Sequence, residues 1–210
     1  MHEVIDTLSF LNFLVWLGTV GFAISGIILS IRKDLDLMGT YIVAILSCSG
    51  GGVIRDVLLN KEPALLFSQN TFLVVLVLTL AFKVLRKGKF IENLEGTFIF
   101  RMSDTLGLAS FATLGAYKAV IHHLEFFPVL TMTLLSSVGG GLIRDALLNR
   151  VNATLTSGFY GSVSIIIGIL VYISHHLEVP SQYYLPSLFI IGIVIRTIAI
   201  KYNLNLVKMA

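Results

Sequence analysis

The chain has 210 residues, 56% of them hydrophobic and 13% charged, about half the charged share of a soluble domain. With 15 basic and 12 acidic residues the formal charge is only +3, which gives no electrostatic footprint for nucleic acid. The single cysteine, Cys48, excludes an intramolecular disulfide. The charges cluster, leaving apolar runs of roughly 18 residues or more, long enough to cross a bilayer as helices.

Glu3 and Asp6 stand where a signal peptide carries Lys or Arg, and no small-residue cleavage site follows the first apolar run. That run is therefore read as a retained helix. Seven helices are expected in chain order: Phe10–Ile31, Leu37–Leu59, Asn70–Leu85, Ser103–Val120, Phe126–Leu148, Gly158–Ser174 and Gln182–Ile200. Pro63, Pro128, Pro180 and Pro186 fall in connections or first turns, where no helical hydrogen bond is lost. Lipid offers the backbone no partners, so helices are the natural form of these runs.

Basic residues orient the spans. Arg32, Lys33, Lys83, Arg86, Lys87, Lys89, Arg101, Arg150, Lys201 and Lys208 fall on one side; Lys61 and Lys118 lie near helix ends on the other. The N-terminus is expected outside and the C-terminus in the cytoplasm. The patch Lys83, Arg86, Lys87 and Lys89 suits anionic lipid headgroups.

The second expected helix ends in Gly50-Gly51-Gly52-Val53-Ile54-Arg55-Asp56-Val57-Leu58-Leu59-Asn60. The fifth ends in Gly139-Gly140-Gly141-Leu142-Ile143-Arg144-Asp145-Ala146-Leu147-Leu148-Asn149, 89 residues later, with nine of eleven positions identical. The same offset pairs Leu17-Gly18 with Leu106-Gly107, Phe22 with Phe111 and Gly26 with Gly115. One transmembrane domain, 1–210, thus holds a first repeat at about 10–88, a second at about 99–177, and a seventh helix at about 182–202. Three helices per repeat is an odd number, so the second copy enters from the opposite side. Such inverted repeats place a substrate or ion site near the midplane between the halves.

Each helix-interior glycine costs about 1 kcal/mol relative to alanine. Two triplets at equivalent mid-membrane depths therefore point to bends or unwinding in the second and fifth helices, with carbonyl oxygens offered to a cation. Ser49 and Ser137 flank these stretches as pore candidates. The competing reading is close packing: Ser47 with Gly51, Cys48 with Gly52, Ser136 with Gly140 and Ser137 with Gly141 are small-xxx-small pairs.

The duplicated Gly-Gly-Gly-x-Ile-Arg-Asp in a seven-helix chain resembles a prokaryotic TRIC (trimeric intracellular cation) channel, with likeness over nearly the whole chain. The resemblance implies a homotrimer with one pore per protomer, permeable to potassium and other monovalent cations, in a bacterial or archaeal cell membrane. It also implies kinked second and fifth helices lining that pore. Related bacterial proteins carry a glycine-transporter label, so a carrier for a small neutral amino acid stands as the alternative.

Arg55 and Arg144 either meet partners inside the protein or snorkel to headgroups. Asp56 and Asp145 stand about 100° around the helix from them, so partners are expected from other helices. Asp104, beside Ser103, reads as a helix N-cap or a pore charge. Lys118 reads as an anchor or, by the resemblance, a gating charge, and Arg196 as an interfacial anchor. His122–Glu125 and His175–Glu178 repeat His-His-Leu-Glu at outer helix ends, where a proton or divalent-cation sensor is one reading and dipole complementarity the other. No nucleophile–base set, phosphate loop or metal-ligand cluster is present. The expected partners are monovalent cations in transit at the triplet carbonyls, sister protomers and bound lipid, with no structural metal or other cofactor.

Overall fold

The computed structural model describes residues 2–85, 98–150 and 159–204, with side chains from residue 5 onward. Among them are seven α-helices: α1 (His2–Arg32), α2 (Leu37–Leu58), α3 (Gln69–Leu85), α4 (Phe98–Ile121), α5 (Phe126–Leu147), α6 (Tyr160–His176) and α7 (Ser181–Lys201). The all-helical reading holds, and five of the seven helices start within two residues of their expected positions. α1 begins earlier, at His2. α4 already runs at Phe98, which places Asp104 nearly two turns inside it and removes its expected N-cap role.

The helix ends follow from local chemistry. Asp36 Oδ1 accepts from the Gly39 amide at 2.7 Å and caps α2. α2 and α5 stop identically at their Leu-Leu-Asn ends. Asn60 and Asn149 take the left-handed conformation (φ 55° and 47°), and the next amides, Lys61 and Arg150, return to the carbonyls of Asp56 and Asp145 at 2.8 and 2.9 Å. The His-His-Leu-Glu copies are not equivalent. In the first, His123 is the left-handed residue, and in the second it is Glu178.

α1, α2, α5 and α7 are each long and apolar enough to cross a membrane, while α3 and α6 are apolar helices of 17 residues. α4 is different because protein surrounds it. It packs on α1, α5, α6 and α7, and every residue from Ser103 to Ala116 except Leu106 is buried. A helix so enclosed can carry charge that a lipid-facing helix could not. The main contacts join α1 to α4 and α2 to α5, helices at equivalent places in the two repeats.

Both glycine triplets stand in continuous helix, and no described glycine has positive φ. The expected unwinding is therefore absent from this conformation: the carbonyls around the triplets remain in the helical ladder. The glycines serve instead the close approach of α2 and α5, the packing alternative raised by the small-xxx-small pattern.

Candidate functional site

The α2–α5 crossing is built from backbone against backbone. A Cβ added at Gly51 would overlap the Ser136 carbonyl oxygen, and one at Gly140 would overlap the Ser47 carbonyl oxygen. Ser47 and Ser136 are themselves 89 residues apart, so the two contacts are the same contact made twice. Gly50 likewise faces Ile143, and Gly139 faces Ile54. Reciprocal pairing of this kind is the signature of a two-fold relation. Arg55–Asp56, near the end of α2, meets Lys118 at the end of α4, whereas Arg144, near the end of α5, meets Asp104 toward the start of α4, so α2 and α5 run in opposite directions.

Ser47 and Ser136 thus hold the seam, whereas the two flanking candidates do not. Ser49 Oγ bonds the Ile45 carbonyl of its own helix at 2.7 Å. Ser137 Oγ reaches Ser164 of α6 at 2.7 Å, and so faces α6.

The charged residues gather into two clusters on either side of this crossing. In the first, Arg55 Nε and Nη2 both lie 2.8 Å from Asp56 Oδ1, and Lys118 Nζ of α4 lies 3.1 Å from the same atom. Arg55 Nη1 also reaches Ser136 Oγ at 3.4 Å. Asp56 Oδ2 is buried with no hydrogen-bond partner among the described residues. In the second cluster, Arg144 Nε donates to Asp145 Oδ1 at 3.1 Å, while Nη1 donates to Asp104 Oδ1 at 2.8 Å and Ser25 Oγ at 2.7 Å. Phe100 covers the guanidinium, its ring centroid 5.8 Å away.

Two expectations are corrected here. Each arginine does pair with its own neighbouring aspartate, because the long side chain curls back around the helix far enough to span the angle. Neither arginine snorkels: both are 2% exposed, held inside by charge-assisted bonds that offset their desolvation. The expectation of partners from other helices also holds, with Asp104, Ser25 and Ser136 supplying them. α4 gives one cluster an acid and the other a base. At the equivalent places of α1 stand Val15 and Leu29, so the pairing with α4 is not duplicated.

Arg196 is not an interfacial anchor. It is 6% exposed, with its guanidinium 4.7 Å from the Tyr160 ring centroid. Lys118 is the accessible member of the first cluster, with 34% of its side chain exposed. His122 Nδ1 lies 2.8 Å from the Lys118 carbonyl, and His176 Nδ1 3.0 Å from the Tyr172 carbonyl. Among the described residues no group of three or more His, Cys, Asp or Glu side chains is placed to hold a metal ion. Sequence reading missed Ser25 and Tyr160, which carry no motif; only their position opposite Arg144 and Arg196 singles them out.

Buried ion pairs between apolar helices, arranged about a repeated crossing, define a polytopic α-helical membrane protein made of two like halves. The chain belongs to the family described as Glycine transporter, whose model matches it twice, over residues 12–87 and 101–176. It is 31% identical over 207 residues to a UPF0126 membrane protein of Vibrio cholerae, covering 98% of this chain and 84% of that one. It is 29% identical to the UPF0126 inner membrane protein YadS of Escherichia coli K12, over 91% and 93% of the two chains. Among solved structures it resembles a TRIC cation channel at 30% identity and TM-score 0.85, over 95% of this chain and 97% of that one. A prokaryotic TRIC channel crystallised in 0.5 M KCl matches at 29% identity and TM-score 0.82, covering 95% of this chain and 100% of that one. The TRIC relationship expected from the duplicated motif is therefore established.

Proposed function

We infer that the protein is a potassium-permeable monovalent cation channel, a homotrimer with one pore in each protomer. The observation that carries this reading is the likeness to TRIC cation channels at about the same identity over nearly the full length of both chains. The two repeats lie inverted in a cell membrane, with the N-terminus outside and the C-terminus cytoplasmic. The ion path follows the α2–α5 crossing, where the absence of side chains leaves backbone closest to the midplane. Bending of α2 and α5 at Gly50–Gly52 and Gly139–Gly141 opens it, freeing carbonyls to replace part of a potassium ion's hydration shell.

Arg55 and Arg144 do not make this an anion pore. Asp56, Asp145 and Asp104 bind their guanidinium groups, so little positive charge is left to repel a cation. Lys118, joined to Asp56 and partly exposed, is the charge best placed to move with voltage. Bound lipid is expected around the trimer, and neither nucleic acid nor a cofactor enters the mechanism.

The test is the reversal potential of purified protein in a planar bilayer under a potassium chloride gradient. The cation reading expects a value near the potassium equilibrium potential, and a value near that of chloride sinks it. The family description favours a second reading, a carrier for a small neutral amino acid. Saturable glycine uptake by proteoliposomes without unitary currents is the result that would select it.

A further inference from the structure

The 89-residue repeat places one aromatic ring in each half, and the two rings meet. Phe22 of α1 and Phe111 of α4 stack with centroids 5.7 Å apart and planes 6° from parallel. Each is 1% exposed. A glycine of the opposite repeat makes room for each ring: a Cβ at Gly107 would overlap Phe22, and one at Gly18 would press on Phe111. Gly18 and Gly107 are repeat equivalents too, so the ring pair sits across the two-fold relation of the halves. Phe22 Cδ2 is also 3.6 Å from where a Gly140 Cβ would lie, which puts the stack beside the α2–α5 crossing. Phe111 is equally far along α4 from Asp104 and Lys118, roughly 10 Å from each at helical rise. The stack therefore lies between the two charged clusters.

Two hydroxyls on the ring-bearing helices are unusual, Thr19 three residues before Phe22 and Ser110 next to Phe111. Thr19 Oγ1 and Ser110 Oγ are buried and have no hydrogen-bond partner among the described residues. A helical Ser or Thr ordinarily bonds the carbonyl one turn back, as Thr105 and Thr113 do on α4. Buried polar atoms without partners call for an explanation, and a passage that wets intermittently provides one. The stack is also coupled to the charges: Arg144 donates to Ser25 Oγ at 2.7 Å, and Ser25 donates to the Phe22 carbonyl at 3.0 Å.

We propose that the Phe22–Phe111 stack is the hydrophobic gate of the permeation path, dry while the rings touch and wetted when they part. The inference rests on the cation-channel reading above. An apolar constriction blocks ions because water leaves it, with no need for full steric closure. Since each ring faces a glycine in the opposite repeat, ring-on-ring contact is what closes this point. Thr19 and Ser110 then line the opened passage.

Single-channel recording in symmetric potassium chloride tests this, on wild-type protein and the variants Phe111→Tyr, Phe111→Ser and Phe22→Leu. A hydroxyl in the constriction should wet it, raising open probability on the order of tenfold in both Phe111 variants. Phe22→Leu removes one ring but keeps the constriction apolar, and should raise open probability less than either Phe111 variant. Phe111→Tyr is nearly isosteric, which guards against loss of the fold. If wild type conducts and Phe111→Tyr, with unchanged thermal stability, has the same open probability, the gate is overturned and the channel stands. If none of the four proteins shows unitary current, the channel reading fails and the gate fails with it.

Discussion

Asp56 neutralises two cations at once. One of its oxygens receives both Arg55 and Lys118, and the carboxylate is 1% exposed. Removing it leaves two cations beside each other in a site with little water, the case in which breaking a buried ion pair costs most. Asp56→Asn, which keeps the shape, should therefore lower stability by roughly 3–5 kcal/mol, read as a large drop in thermal unfolding temperature in detergent. Lys118→Gln should cost far less, because Lys118 is partly exposed and Arg55 still neutralises Asp56. Equal losses from the two changes would mean that Asp56 is not the centre of its cluster. The sequence marked Arg55, Asp56, Arg144 and Asp145 as important, but could not show how they pair. A rigid-helix angle between neighbours underestimates the reach of an arginine, and nothing in the local residues says that α4 brings Asp104 to one cluster and Lys118 to the other.

At the scale of helices, the glycines of a triplet are not interchangeable. A methyl group at Gly51 or Gly140 meets a backbone carbonyl of the partner helix, which cannot turn aside without moving the whole helix. At Gly52 the same methyl meets the Cδ1 end of Leu65 at 3.0 Å, and a leucine side chain can shift. Alanine also gains about 1 kcal/mol of helix propensity over glycine. Gly52→Ala should thus be close to neutral, whereas Gly51→Ala and Gly140→Ala should each destabilise by about 2 kcal/mol, the middle of the range for overpacking. Thermal unfolding of the three variants side by side checks the ranking, and equal behaviour would mean that α2 and α5 do not pack so closely in the membrane. The double change Gly51→Leu with Gly140→Leu should fail to assemble at all, since even a methyl has no room. The triplets were legible as special because propensity alone condemns them. Whether they bend or pack was not, because a glycine serves both needs and only the facing helix distinguishes them.

For the whole molecule the open question is direction. The reciprocal contacts of Ser47 with Gly140 and Ser136 with Gly51 relate the halves by a two-fold axis, and the antiparallel crossing of α2 and α5 fits an axis lying in the membrane plane. An inverted repeat then makes a demand that a parallel one does not: equivalent residues must face opposite sides of the bilayer. Lys33 and His122 are such a pair, 89 residues apart. Each follows its helix, α1 or α4, by one residue, and neither is buried. The positive-inside count places Lys33 in the cytoplasm and His122 outside. The one native cysteine does not interfere, since Cys48 is buried. Cysteines introduced singly as Lys33→Cys and His122→Cys, probed in intact cells with a membrane-impermeant thiol reagent, should react only at position 122. Position 33 should become reactive once the membrane is permeabilised. Labelling of both from the outside, or of neither, would overturn the inversion. A path built from two oppositely directed halves would then have no basis, because a parallel repeat leaves all equivalent residues facing the same side of the bilayer.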